Sequence, residues 1–178
     1  VRDLLTRAQT AMEELPEEEQ AGPSEVVAAG YQVYLEQYPG TENYANIVLN
    51  AGDTAQIGGR WFEAGQYALQ AASLVAADER RREVLYDSVV RFQRALTPEQ
   101  SLNDVARRAV ARAELRRAAT ALLHYQLEPD RQRRVRFAIA QSFYDGGQLT
   151  RAIDHLSAVA YEFPGSEESE ASVRLVMD

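Results

Sequence analysis

The 178-residue chain has no cysteine and no lysine. Without cysteine there is no disulfide, no thiolate nucleophile and no thiolate metal ligand. Histidine is nearly absent as well: His124 and His155 are the two in the chain. Neither falls in a metal-binding or nucleophile-base motif, and no phosphate loop, G-x-S-x-G or calcium loop is present. On a helix the adjacent Asp154 and His155 point about 100° apart, so they do not orient one another. These gaps remove the usual grounds for an enzyme; the sequence predicts no catalytic residue, no cofactor and no metal. No apolar run approaches the roughly 20 residues of a membrane span, and no signal-peptide pattern is visible. The chain opens at Val1 and stops inside a helical run, which predicts a piece of a longer protein.

What is present favours helix. Apolar residues make up 46% and charged residues 26%, a balance typical of a folded domain, and Ala, Leu, Arg and Glu are strong helix formers. A chain of this length buries roughly two-thirds of its unfolded surface. The net charge of −8 conceals segregation. Residues 1–79 carry 3 Arg against 13 acidic residues, residues 80–136 carry 14 Arg against 7, and residues 137–178 carry 2 against 7. A basic middle lies between acidic ends.

Breakers divide the chain into helical runs. Residues 1–14 place Leu4, Leu5, Ala8, Ala11 and Met12 at helical spacing. The Glu17 to Glu19 run reads as a solvated loop or helix start, and Ser24 as the cap of a helix over 25–38 that ends at Pro39-Gly40. Thr41 caps a run over 43–57, closed by Gly58-Gly59; further runs cover 60–77 and 79–96. Thr97-Pro98-Glu99-Gln100 reads as a capping box opening a helix over 98–126, about 43 Å long at ~1.5 Å per residue. Its apolar residues change face. Leu102, Val105, Ala106, Ala109 and Ala113 share one side; Leu115, Ala118, Ala119, Leu122 and Leu123 share the other. This predicts an early and a late packing neighbour, or a kink near Glu114. Runs over 131–144 and 149–163 follow, separated by Gly146-Gly147, then Pro164-Gly165 and a last helix capped by Ser166. No segment alternates like a strand. The class is all-α.

Two stretches repeat one plan. In 45–72 and again in 134–166 a helix is followed by a double glycine, an apolar residue two positions on, and Ala three later: Trp61 then Ala64, and Leu149 then Ala152. A third, partial copy is YLEQYPGT, which parallels AYEFPGS. Glycine lets the chain turn where other residues resist, small Ala permits close helix approach, and proline prevents continuation. With Ala140, Phe143, Tyr144, Gly147, Ala152, Leu156 and Pro164 in one copy, and Gly52, Gly59, Trp61, Ala64 and Ala71 in the other, the chain resembles the tetratricopeptide repeat family. That resemblance implies a right-handed solenoid of antiparallel helix pairs. It covers about half of the chain as one domain over 1–178. Repeat-like parts span 24–40, 43–77 and 131–164, with an irregular Arg-rich middle over 79–127. The earlier copy lacks the closing proline, and the double glycines are 88 residues apart, not a whole number of ~34-residue units. The form "YLxxYPGT…A" then "GGRWFEA" is most similar to bacterial cell-envelope members: Tol-Pal-associated, outer-membrane assembly and gliding-motility lipoproteins. Arginine as the sole basic residue fits a GC-rich bacterial genome.

The resemblance implies a non-catalytic scaffold, a docking module of an envelope-associated machine for motility, transport or assembly, in the periplasm or envelope. Its groove positions fall on Asn46, Leu49, Asp53 and Gln56, and on Arg134, Phe137, Gln141 and Tyr144, with Phe137 and Tyr144 as anchors. The expected partner is a protein or peptide, acidic where it meets the arginines. No small-molecule substrate is expected, and membrane contact would come only through a partner or an anchor outside the chain. The alternative is nucleic-acid binding through the Arg band, with Arg108, Arg112 and Arg116 four apart and Arg133 beyond. Acidic flanks oppose that reading. The Tyr31, Tyr34, Leu35 and Tyr38 stripe and Trp61 are expected to be packing residues.

Overall fold

The computed structural model describes residues 2–98 and 104–177. Among these the chain is all-helical and has no strand. Its helices are α1 (Arg2–Glu13), α2 (Ala21–Gln37), α3 (Tyr44–Ile57), α4 (Trp61–Leu74), α5 (Asp78–Ala95), α6 (Val105–Leu122), α7 (Pro129–Tyr144), α8 (Leu149–Glu162) and α9 (Glu167–Met177). The chain divides into two compact units, Val1–Ser101 and Leu102–Asp178. Within each, consecutive helices pack on one another in a repeat-like, all-α arrangement.

The two double-glycine turns have the same backbone. Gly59 and Gly147 both have φ of +70°. Arg60 N–H donates to the Ala55 carbonyl at 2.8 Å, and Gln148 N–H to the Phe143 carbonyl at 2.9 Å. Each is a six-to-one bond that satisfies a helix-end carbonyl across a left-handed residue. The residues that then start α4 and α8 also agree: Arg60 has φ, ψ of −85°, 63° and Gln148 has −89°, 61°. A second local match joins YPGT to FPGS. Tyr38 and Phe163 end α2 and α8 at −129°, 56° and −127°, 54°, and Thr41 and Ser166 hydroxyls donate back to those residues' carbonyls. Ser166 Oγ also accepts from Ser169 N–H at 3.1 Å, so it caps α9 as the sequence predicts.

Several boundaries differ from expectation. Ser24 is not a cap: it lies inside α2, buried, and donates to the Ala21 carbonyl. The first-turn amides of a helix have no intrahelical acceptor, so Pro23 loses nothing there. The Glu17 to Glu19 run forms a 3-10 turn. The long helix over 98–126 is shorter. It begins at Val105, where the Asp104 side chain accepts from Ala106 N–H at 2.8 Å, and ends at Leu122. Glu99, Gln100 and Leu102 lie outside the described residues. Of its two apolar faces only the later is buried: Leu115, Ala118, Ala119 and Leu122 are inside, whereas Val105, Ala106, Ala109 and Ala113 are exposed.

Close helix approach builds the unit of α1 to α5. Ala64, Ala68 and Ala71 are fully buried on α4. A Cβ on Gly65 would meet the Phe92 ring of α5 at 2.8 Å, and Ser88 donates to the Gly65 carbonyl at 3.1 Å. Where the α4 end lacks Pro or Gly, Arg81 closes it: its Nε and Nη2 both donate to the Val75 carbonyl, at 3.0 and 2.7 Å. The α1 helix is tied to α2 by buried Tyr31, whose hydroxyl donates to Gln9 Oε1 at 2.6 Å. In the other unit the core is Ala111 and Leu115 of α6, Val135 and Ile139 of α7, and Ala152, Leu156 and Val159 of α8.

The two kinds of glycine predict different mutational behaviour. Gly147→Ala meets no neighbour and should cost about 1 kcal/mol through the left-handed backbone alone, with Gly147→Asn milder. Gly65→Ala should cost roughly 1–3 kcal/mol by overpacking, and trimming Phe92→Leu in the same chain should recover part of it. Urea unfolding tests both; a stabilising Gly65→Ala would show that the Phe92 contact does not set the α4–α5 distance.

Burial raises the Tyr31 and Tyr67 hydroxyls above the ordinary phenol range. A raised folded value means that the fold favours the neutral phenol. The corresponding stability is complete below about pH 10 and is lost as pH climbs through the folded values. With no lysine in the chain, phenols dominate that range. The unfolding midpoint should fall between pH 9 and 11 (roughly the phenol window), and Tyr31→Phe with Tyr67→Phe should flatten the fall; an unchanged slope would contradict the assignment.

Candidate functional site

The predicted groove positions occupy one arc on each of two helices. At about 100° per residue, Asn46, Leu49, Asp53 and Gln56 fall within about 80° of α3, and Arg134, Phe137, Gln141 and Tyr144 within the same arc of α7. The opposite arcs are the buried ones: Ile47, Val48, Ala51 and Ala55 on α3, and Val135, Ala138, Ile139 and Ser142 on α7. Packing therefore leaves these stripes outward.

The two stripes differ in what touches them. On α7, Arg134 and Gln141 are exposed and Phe137 and Tyr144 half-buried. Polar and aromatic side chains thus alternate along the α7 stripe. On α3 all four positions are half-buried, and α5 reaches two of them. Arg80 Nη2 donates to Asn46 Oδ1 at 2.7 Å. Arg91 Nη2 donates to Asp53 Oδ1 at 2.5 Å while its Nη1 donates to the Ala64 carbonyl at 3.4 Å. The Arg91 side chain is only 10% exposed. Gly52 makes room for it, since a Cβ there would lie 2.9 Å from Arg91 Nη1. Sequence reasoning missed this link. The signal was available in Gly52, a glycine inside a helix with no turn to make.

Much of the Arg band is likewise engaged inside its own unit. Arg133 pairs with Glu168 of α9 at 2.6 Å and with Asp130 at 2.9 Å. Glu168 holds the Arg133 guanidinium above its ordinary range against desolvation. Arg136 pairs with Glu162 of α8 at 3.0 Å. The Arg108, Arg112 and Arg116 stripe borders the buried face of α6, and all three are half-buried. Arg116 lies over the Phe143 ring at 4.6 Å and donates to the Ser142 hydroxyl and carbonyl. The stripe and Arg133 are therefore not gathered into one exposed patch.

The remaining candidates sort readily. Tyr31 and Leu35 are core, whereas the Tyr34 and Tyr38 rings meet at a tilt, 5.0 Å between centres, beside Arg2 and Asp3 in a shallow surface hollow. Trp61 is half-buried, with Arg94 5.9 Å from its ring centre. His124 is exposed, and His155 is exposed but stacked on Phe143 at 5.1 Å. Among the described residues there is no metal-competent group of His, Cys, Asp or Glu, and no helix long and apolar enough to cross a membrane.

Arg91 serves two acceptors through its planar fork, a geometry that lysine cannot copy. Arg91→Ala should cost about 2–4 kcal/mol. Arg91→Lys should recover less than half of that. Asp53→Ala should cost about 1 kcal/mol, because its side chain is 47% exposed and solvent screens the pair. Chemical denaturation of the three variants checks the order; full rescue by lysine would reduce Arg91 to a point charge.

Comparison with protein-family models, with curated proteins and with solved structures finds no match for this chain.

Proposed function

We propose that the chain is a tetratricopeptide-like solenoid of helix pairs, serving as a non-catalytic docking module in a bacterial envelope-associated complex for motility, transport or assembly. The observation that carries this reading is the repeated unit. Two helix–turn–helix segments 88 residues apart share their turn geometry, their buried arcs and the register of their outward stripes. Helix pairs of this kind bury their faces by stacking and leave one helix of each pair to present side chains. The α7 stripe suits a peptide: half-buried aromatics supply area at low entropic cost, and Arg134 and Gln141 supply hydrogen bonds. Pairing of Arg91, Arg133 and Arg136 with acids of their own units leaves fewer free cations for a polyanion, which favours a protein partner over nucleic acid. The envelope setting is supported by the sequence resemblance alone.

The test is comparative capture. The wild-type chain and a Phe137→Ala, Tyr144→Ala variant are used as bait in lysate of the source cell, at low and moderate salt, with helicity checked by circular dichroism. The docking reading expects a few proteins retained at moderate salt by the wild type and lost by the variant, with helicity unchanged. Equal capture by both sinks the α7 stripe. Recovery of nucleic acid alone, released as salt rises, overturns the function.

A further inference from the structure

Among the described residues, one group of cations in the unit of α6 to α9 forms no ion pair. That unit carries 11 Arg and 11 acidic residues, so it is formally neutral. Arg117, Arg133 and Arg136 are paired with Glu114, Glu168 and Glu162. Arg112, Arg116 and Arg151 are not. Arg116 and Arg151 stand 4.6 and 5.8 Å from the centre of one ring, Phe143. Arg112 lies one helical turn before Arg116, with its Nε buried and unpartnered among the described residues. The Arg112 side chain packs along the Gly146 turn, 3.6 Å from where a Cβ there would sit.

The hydrogen-bond acceptors that Arg116 and Arg151 use are neutral. Arg116 uses one nitrogen on Ser142, and Arg151 uses one on Gln148 Oε1 at 3.3 Å. His155 covers part of the same ring. The acid whose charge reaches the group is Asp145: desolvation raises its carboxyl and Arg112 draws it back, without an ion pair between them. Desolvation and the charges of Arg112 and Arg151 all weaken the hold of Arg116 on its proton. Like charges held together in a partly desolvated place cost stability unless an anion joins them. Guanidinium forks match the geometry of phosphate oxygens, and a dianion offsets three adjacent cations better than a single carboxylate does.

We propose that Arg112, Arg116 and Arg151, gathered around Phe143 beside the Gly146-Gly147 turn, form a binding site for a phosphate-type oxyanion. The shared chemistry is a phosphate monoester or inorganic phosphate. A free anion would stabilise the α6–α7–α8 packing, and a phosphorylated side chain of a partner would dock there. This site is separate from the α7 stripe and does not rest on the docking reading.

The test titrates the whole chain with inorganic phosphate against sodium chloride at equal ionic strength, read by thermal shift and calorimetry. The expected result is saturable binding with a rise in Tm beyond the chloride control. Arg151→Gln, an exposed position that should fold normally, should weaken binding about tenfold or more, the loss of one charge-assisted contact. Arg112→Gln should do the same, and Arg174→Gln on α9 should leave binding unchanged. A phosphoserine peptide that binds tighter than inorganic phosphate assigns the site to a modified partner; equal binding assigns it to a free anion. No saturable effect beyond chloride, or binding insensitive to both Arg151→Gln and Arg112→Gln, overturns the proposal.

Discussion

Helix faces made of glycine and alanine bury very little unless the opposing helix comes close enough to fill them, and both units depend on that approach. On α4 the buried residues are the small Ala64, Gly65, Ala68, Ala71 and Ala72 together with Phe62 and Leu69. Where α4 is small, the volume comes from across the interface: Phe92 of α5 lies on Gly65, and the Tyr67 Cβ lies 3.1 Å from where a Cβ on Gly52 would be. The turns follow from this. Two helices in such contact must be joined by a short reversal, and the left-handed glycine is the cheapest way to make one. Gly58 adds a second reason, since a Cβ there would collide with Ser24 Oγ of α2. The double glycine therefore has a division of labour: at Gly58-Gly59 the first residue is small for a neighbouring helix and the second for its φ.

Arginine does the joining that proline and lysine do elsewhere. Its fork can hold a carbonyl and a carboxylate together, or one carbonyl twice. Arg81 clamps the end of α4 where a closing proline is missing, and Arg91 connects α5 to both α3 and α4. Arg133 and Arg136 tie α7 to α9 and α8. Several arginines of the basic middle are thus inter-helix fasteners. Exposed pairs of this sort contribute little each; those with a buried member, above all Arg91, matter for register because they fix which residues face each other.

That distinction explains what could be read from the sequence. The double-glycine turns, the YPGT and FPGS ends and the Ser166 cap were legible, because positive φ, missing amides and side-chain caps act within five residues; Thr41, expected as a cap, is not one, since α3 starts at Tyr44 after left-handed Asn43 with no side-chain cap. The positions that the resemblance implies on α3 and α7 share one arc of each helix, because helical periodicity groups residues at such spacings. What touches that arc was not legible. Arg91 is 38 residues from Asp53, and nothing local distinguishes it from a solvated arginine. Ser24 was misread because serine before an apolar run has the signature of a cap, whereas the free first-turn amides tolerate Pro23 and extend α2 back to Ala21. The opening of α6 failed for a related reason. The Asp104 side chain caps the start of α6, while the Thr97 to Gln100 box runs outside the described residues. The division into two units was not visible, since no linker composition marks it.

Charge separates the two units in a way that bears on any partner. The unit of α1 to α5 carries 8 Arg against 16 acidic residues and holds the whole net charge of −8; the other is neutral. Fields from exposed charges fade over about 8 Å at physiological salt, so an approaching anion responds to the nearest side chains more than to the total. Neutrality of the second unit then hides a local imbalance. Four of its acids, Glu114, Asp130, Glu162 and Glu168, meet arginines in ion pairs, whereas among the described residues the arginines around Phe143 form none. A neutral sum assembled from paired ions plus an unpaired cluster is a different surface from one assembled from pairs alone. It repels little at a distance and attracts anions at one place, and that combination favours recognition of a single charged group over a charged polymer.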